Sequence, residues 1–511
     1  MTVVVTPEPL TPADVVAVAR DGAEVEVSRE AWDAMAESRA YVERLAASDQ
    51  PAYGISTGFG ALATTHIPVE RRADLQRSLV RSHAAGTGLP VEREVVRAMQ
   101  LLRLRTIATG RTGARPLVAA AMAALLNAGI TPVVPEFGSL GCSGDLAPLA
   151  SGALALMGEG EVFDAGGQRR SAAEALAAAG LEPVVLAEKE GLALLNGTDG
   201  MLGTLVLACA DLGRLIATAD LSAAMSVEAL LGTDKVFAAD LQQLRPQPGQ
   251  AVSAANMRAL LDGSAIVTSH AGPEDTRVQD AYSLRCAPQV AGACRDTLEH
   301  ARRVSVAELA SAIDNPVVLP DGRVESNGNF HGAPVGYVLD FLAIAIADLA
   351  SIAERRTDRM LDRNRSQGLP PFLAGEPGVD SGHMIAQYTQ AGMVSECKRL
   401  AVPASVDSIP SSAMQEDHVS MGWSAARKLR RSIDLLGRVL AIEILTAARA
   451  LDFRAPVQPS PATAAVVARL RESVAGAGPD RHLAPEIDAA VSGVQDGSLL
   501  AAAESVTGPL D

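Results

Sequence analysis

Apolar residues recur every three or four positions along most of this chain, and strict alternation is confined to a few short stretches. In residues 91 to 109, VEREVVRAMQLLRLRTIAT, Val95, Val96, Met99, Leu102 and Leu104 fall at helical spacing, while Glu92, Glu94, Arg97 and Arg103 lie largely on other faces. The pattern predicts an amphipathic helix near the surface of a first domain. Three longer runs, 201 to 231, 337 to 362 and 422 to 452, predict helices suited to a bundle. In the last of these, Leu429, Ile433, Leu436, Leu440 and Ile444 share one stripe before the stop at Pro456. The uncharged run 116 to 135 approaches membrane-span length, but Asn127, Gly129 and Pro132 break it, so it reads as a helix of about a dozen residues. Strand patterns are limited to small hairpins, at GQRRS near residue 167 and at VVLPDGRVE (317 to 325), the second turning at Asp321 and Gly322. The expectation is a mainly α chain, with an N-terminal domain over residues 1–200 and, over 201–511, a central long-helix bundle ending in a C-terminal helical segment.

Composition narrows the function. The 511 residues are 48% hydrophobic but only 3% aromatic, which favours close helix packing. A formal net charge of -16 lacks the basic footprint of a nucleic-acid or anionic-membrane binder, which leaves a small molecule as the expected partner. Cys142, Cys209, Cys286, Cys294 and Cys397 are scattered without CxxC spacing, so neither a disulfide framework nor a zinc site is expected, and no metal is implied. The N-terminal MTVVVTPEPLTPADVV has no basic region followed by an apolar one, and the expected location is the cytoplasm.

Two motifs fail on inspection. GFGALA (58 to 63) matches GxGxxA, yet no strand precedes it and no βαβ unit follows, so the match is accidental. Ser143 does not sit on a GxSxG elbow, because Asp145 stands where the second glycine belongs. The surrounding stretch GSLGCSGDLAPLA (138 to 150) allows a third chemistry. Attack of the Gly144 nitrogen on the Cys142 carbonyl carbon, with loss of water, closes a five-membered ring. Loss of water from Ser143 then leaves an exocyclic methylidene, a strong electrophile. A compressed turn with small residues is what such a reaction needs, and the Cys142 side chain takes no part. Taken alone, the stretch reads more simply as a glycine-rich turn at a helix end.

Its company changes that reading. The chain also carries YGISTGFGAL (53 to 62), SHAAGTG (82 to 88), GLALLNGTDGM (191 to 201), VQDAYSLRCAPQV (278 to 290), DNPVV (314 to 318), SNGNFHGAPV (326 to 335) and QEDHVSMG (415 to 422). Together these resemble the aromatic amino-acid ammonia-lyases and aminomutases that use a methylidene-imidazolone (MIO) group, and within that family the histidine ammonia-lyases. The resemblance runs from about residue 10 to the C-terminus. It implies an MIO formed autocatalytically from Cys142, Ser143 and Gly144, with no external cofactor, in a mainly α homotetramer whose active sites draw on more than one subunit.

The same resemblance suggests roles. Tyr53 matches the base that removes the β-proton, and Arg285 the guanidinium that holds the substrate carboxylate. Asn196 and Tyr282 resemble residues that hold the amino group and polarise the MIO carbonyl, while Gln279 and Phe330 resemble pocket-lining positions. For substrate choice, His83 can hydrogen-bond an imidazole, and Glu416 places a carboxylate where enzymes acting on phenylalanine or tyrosine typically have Gln. Both point to L-histidine, giving trans-urocanate and ammonia. The alternatives are an MIO enzyme acting as a phenylalanine or tyrosine ammonia-lyase or a 2,3-aminomutase, and an inactive homologue kept for binding or structure. Ser151, Asp199 and Met414 depart from residues common in the family, and His383 occupies a slot that is normally apolar. A lone histidine of that kind is expected to be packed and hydrogen-bonded.

Overall fold

The computed structural model describes residues 1–47, 57, 67–272 and 278–511. Among these residues the chain forms twenty α-helices and nine strands, none longer than four residues, and the fold is mainly α. Its contacts divide into two units. The first comprises residues 1–207, 301–340 and 403–427, and the second 208–300, 341–402 and 428–511. The first unit therefore recruits two later segments that sequence order does not group with it.

In the first unit, strand Thr2–Val5 pairs in parallel with Glu24–Val27, from Thr2 opposite Glu24 to Val5 opposite Val27. Alternation turns Val3, Val5 and Val25 into the core. The intervening helix Pro12–Arg20 starts at a capping box in which Thr11 and Asp14 each satisfy the other's backbone N–H. The small hairpins appear where the pattern puts them, Glu161–Phe163 against Arg169–Ser171 and Val317–Val318 against Val324–Glu325. Helix Pro116–Asn127 also matches expectation.

The helix expected near the surface does not lie there. Arg93–Ala108 is buried along nearly its whole length, including Arg97, Arg103 and Arg105. Arg97 donates to the carbonyls of Val18 and Leu126, and Arg105 to those of Pro7, Glu8 and Ser311. A guanidinium carries five donors, so it can enter an interior where several loop carbonyls lack partners. Arg97, Arg103 and Arg105 are thus interior anchors and not a wet face, while Arg93 at the helix start is exposed.

The long helices are Asp199–Ala229, Ala333–Leu361 and Gly422–Asp452, close to the expected ranges, and a fourth, Ala287–Leu309, joins them. The first two are long and apolar enough to cross a membrane, but 83% and 61% of their apolar windows are buried inside the protein. The stripe from Leu429 to Ile444 is buried as expected. Within the second unit, Glu443 accepts from Arg356 Nε at 2.5 Å, from Ser226 Oγ at 2.7 Å and from Ser222 Oγ at 2.9 Å. One carboxylate so links three helices, with every partner buried.

Candidate active site

Residues 138–145 form a turn whose shape requires glycine. Gly141 (φ +65) and Gly144 (φ +78) both adopt the left-handed region. A Cβ on Gly141 would lie 2.2 Å from Ser420 Oγ, and one on Gly144 would lie 2.1 Å from the Gly197 carbonyl oxygen. The turn is gripped from both sides. Ser420 Oγ donates to the Gly141 carbonyl at 2.8 Å, Met421 N to the Leu140 carbonyl at 2.8 Å, and Asp145 N to the Gly197 carbonyl at 2.7 Å. Cys142 and Gly144 are buried, whereas Ser143 between them is half-buried. Burial, together with the adjacent Glu416 carboxylate, pushes the Cys142 thiol up to about 12, so it stays protonated and unreactive.

Asp145 anchors the turn to the fold. It precedes helix Leu146–Leu156, but its carboxylate caps a different helix: Oδ2 accepts from Met201 N at 2.9 Å, in the first turn of Asp199–Ala229, and Oδ1 accepts from Ser139 Oγ at 3.0 Å. Complete burial pushes its carboxyl up to about 7 against the pull of these hydrogen bonds.

Asn196 reaches the same place because Gly197 bridges to Gly144. Its Nδ2 donates to the Asn315 carbonyl at 3.0 Å, and its Oδ1 is buried with no partner among the described residues. A buried amide oxygen left unmatched is poised to accept from a ligand N–H. Beneath it lies a buried charge network. Arg103 holds the carbonyls of Ala193 and Asn196 and pairs with Asp199, and Lys189 Nζ meets Asp314 Oδ2 at 2.5 Å with both side chains fully buried. Asp314 Oδ1 accepts from Asn315 N, so the DNPVV stretch serves to hold Asn315 where Asn196 needs it.

Glu416 completes the cluster. Its Oε1 accepts from Ser143 Oγ at 3.2 Å and its Oε2 from Ser411 Oγ at 2.8 Å. Ser411 and Glu416 also bridge through their backbones, enclosing Ser412, Ala413 and Met414, all at positive φ. Left-handed backbone costs a side-chain-bearing residue about 1–2 kcal/mol. The neighbouring loop is joined to this one by His331, whose ring stacks on His418 at 5.6 Å and 0°, and which follows the half-buried Phe330.

His83 ends helix Arg72–His83, half-buried, with Nδ1 at 2.9 Å from the Leu79 carbonyl. A carbonyl can only accept, so that contact calls for a proton on Nδ1, while Ser82 Oγ lies 3.1 Å from the same nitrogen. Gln279, Tyr282 and Arg285 belong to the second unit. Gln279 is exposed, Tyr282 is 72% exposed, and the Arg285 guanidinium lies 4.6 Å over the Tyr282 ring with Nε buried and unpartnered among the described residues. Tyr53 and the GFGALA match lie outside the described residues. His383 is packed, its Nδ1 3.2 Å from Thr446 Oγ1, and Ser151 bonds back to the Ala147 carbonyl of its own helix.

The sequence reading missed the groups that hold the cluster: Arg103, Lys189, Asp314 and the capping role of Asp145. Asp145 had a visible signal as an acid before an apolar helix, though not for the helix it actually caps.

The sequence profile of the aromatic amino acid lyases matches residues 10–472, and the chain belongs to that family. It is a carbon–nitrogen lyase. Over 510 residues it is 66% identical to the histidine ammonia-lyase of Streptomyces avermitilis, covering 100% of this chain and 99% of that relative. The histidine ammonia-lyase of Symbiobacterium thermophilum is 50% identical over 503 residues, covering 98% of each. Among solved structures, tyrosine aminomutase from Streptomyces globisporus superposes with a TM-score of 0.94 at 39% identity, covering 100% of both chains. Histidine ammonia-lyase from Trypanosoma cruzi gives 0.91 at 37%, covering 99% of this chain and 96% of the other.

Proposed function

We propose that the protein converts L-histidine to trans-urocanate and ammonia, using an MIO made from its own Cys142, Ser143 and Gly144 and no external cofactor. The observation that carries this reading is the Glu416 carboxylate at 3.2 Å from the Ser143 hydroxyl. A carboxylate beside the reacting position suits a substrate ring that has an N–H to give, and a phenyl ring has none. The full-length likeness to histidine ammonia-lyases agrees.

The residues fit the group. Two left-handed glycines compress the turn, Ser143 is the accessible member, and the Asn196 oxygen waits unmatched beside it. The MIO supplies an electrophile that no ordinary side chain offers. Asn196 Oδ1 accepts from the substrate amine, Glu416 accepts from the imidazole N–H, and, on the family resemblance, His83 hydrogen-bonds the same ring and Phe330 and Gln279 line the pocket. On the family resemblance Arg285 holds the carboxylate, and its stacking on Tyr282 limits how the planar guanidinium can turn. Tyr53 takes the β-proton, and Tyr282 assists at the MIO carbonyl.

The working form in this reading is a cytoplasmic homotetramer. Phe341 and Ile344 on one helix, and Ile385 and Tyr388 on another, leave large apolar surfaces exposed, which favours association with further copies.

The test is ultraviolet absorbance of the purified protein with L-histidine. Growth of the urocanate band is expected, and Ser143→Ala should abolish it while leaving the far-ultraviolet circular dichroism unchanged. A conjugated acid formed instead from L-phenylalanine or L-tyrosine, or a β-amino acid product, refutes the assigned substrate or reaction. Retained activity in Ser143→Ala refutes the MIO.

A further inference from the structure

The Glu416 contact is made by the chain as translated, with Ser143 still bearing its hydroxyl. That hydroxyl must leave for the methylidene to form, and hydroxide is a poor leaving group without a proton donor. Glu416 Oε1 lies 3.2 Å from Ser143 Oγ, while Oε2 is fixed by Ser411 Oγ at 2.8 Å. Three consecutive residues at positive φ, Ser412, Ala413 and Met414, and the Ser411–Glu416 backbone bridge deliver this carboxylate to the serine. A turn so strained persists where a functional group has to be held in place.

We propose that Glu416 is the proton carrier for dehydration of Ser143, acting on the chain's own backbone before it serves any substrate. The inference rests on the MIO reading above. After ring closure the Cα proton of Ser143 passes, through a solvent water, to the Glu416 carboxylate. The electron pair of the Cα–H bond becomes the Cα=Cβ bond, and the Cβ–Oγ bond breaks with its pair on oxygen. Glu416 Oε1 returns the proton to that oxygen, which departs as water. Glu416 ends as the carboxylate it began as, and Ser143 has lost one water.

The neighbours are unsuited to the task. The Cys142 thiol, pushed up to about 12 by burial and by Glu416, is too weak an acid. Both carboxylate oxygens of Asp145 are engaged, one by Ser139 Oγ and the other by Met201 N.

The experiment is cell-free synthesis of the full chain, sampled at intervals for intact mass and for the mass of a peptide spanning Cys142 to Gly144. Wild type is expected to become two waters lighter. Glu416→Gln keeps the size of the side chain and one of its two acceptor oxygens but can neither take up nor give an acidic proton, and is expected to stall one water lighter, cyclised but not dehydrated. Its second loss should slow by about 10²–10⁴-fold, the usual worth of a positioned acid or base. Glu416→Asp retains the acid at shorter reach and should complete both losses, more slowly than wild type. If Glu416→Gln loses both waters as fast as wild type, the assignment is wrong. If it loses neither while its circular dichroism matches wild type, Glu416 acts before ring closure and the assignment to dehydration is equally wrong. A wild-type chain that keeps both waters would instead overturn the MIO reading itself.

Discussion

Replacing Asp314 by Leu removes the partner of a lysine that has no route to water. Lys189 and Asp314 are both fully buried and meet at 2.5 Å. Burial pulls the Lys189 ammonium down and pushes the Asp314 carboxyl up, each toward its neutral form, and the ion pair opposes both shifts. Breaking such a pair from one side leaves an uncompensated interior charge, a loss of about 3–5 kcal/mol. Removing both charges together costs far less, chiefly the hydrogen bond that Asp314 Oδ1 accepts from Asn315 N, because apolar groups of similar volume carry no desolvation cost. The assay is a double-mutant cycle of Lys189→Met and Asp314→Leu, read as urea unfolding by circular dichroism. Each single variant is expected to lose about 3 kcal/mol or more, with the double variant recovering most of it. The cycle also reads the site, since Asp314 Oδ1 holds Asn315 and Asn315 holds Asn196. Single variants within about 1 kcal/mol of wild type, or a double variant equal to the sum of the singles, would falsify the reasoning.

Two further outcomes are expected. Gly144→Ala forces a Cβ to within 2.1 Å of the Gly197 carbonyl oxygen at φ +78, so the turn must open and the chain should retain both waters by intact mass; complete maturation at wild-type rate would contradict this. His383 is pushed down to about 3, first by burial and then by Arg449, Arg481 and Arg471, from an ordinary value of 6.5. Between those values the unfolded chain binds a proton that the folded one refuses, so stability falls as pH drops below 6.5, by up to about 1.4 kcal/mol per pH unit. Comparing urea midpoints at neutral and mildly acidic pH, His383→Leu should lose less stability on acidification than wild type, and an equal loss would refute the linkage.

Local pattern was enough for three of the four long helices, though not for Ala287–Leu309. The stripe at Leu429 to Ile444, the Pro116–Asn127 helix and the Asp321–Gly322 hairpin depend on periodicity, breakers and turn residues that act within a few positions of one another. The tripeptide turn was legible for the same reason: only small residues tolerate its backbone. Chain order and motif resemblance also exposed Asn196 and Glu416 as candidates.

Other features depend on partners far away in sequence. Thr2–Val5 was not read as a strand because four residues carry little pattern and their partner, Glu24–Val27, comes after a helix. Arg97, Arg103 and Arg105 look like a wet face until distant carbonyls are found to need their donors. Asp145 caps a helix that begins well beyond its own, and Lys189 finds Asp314 across 125 positions. A buried charge is tolerable only where folding supplies a compensating one, and no short-range pattern encodes where that will be. The residues proposed to carry the chemistry were therefore visible along the chain, whereas the network that holds Asn196 and the tripeptide turn exists only once 1–207, 301–340 and 403–427 have packed into one unit.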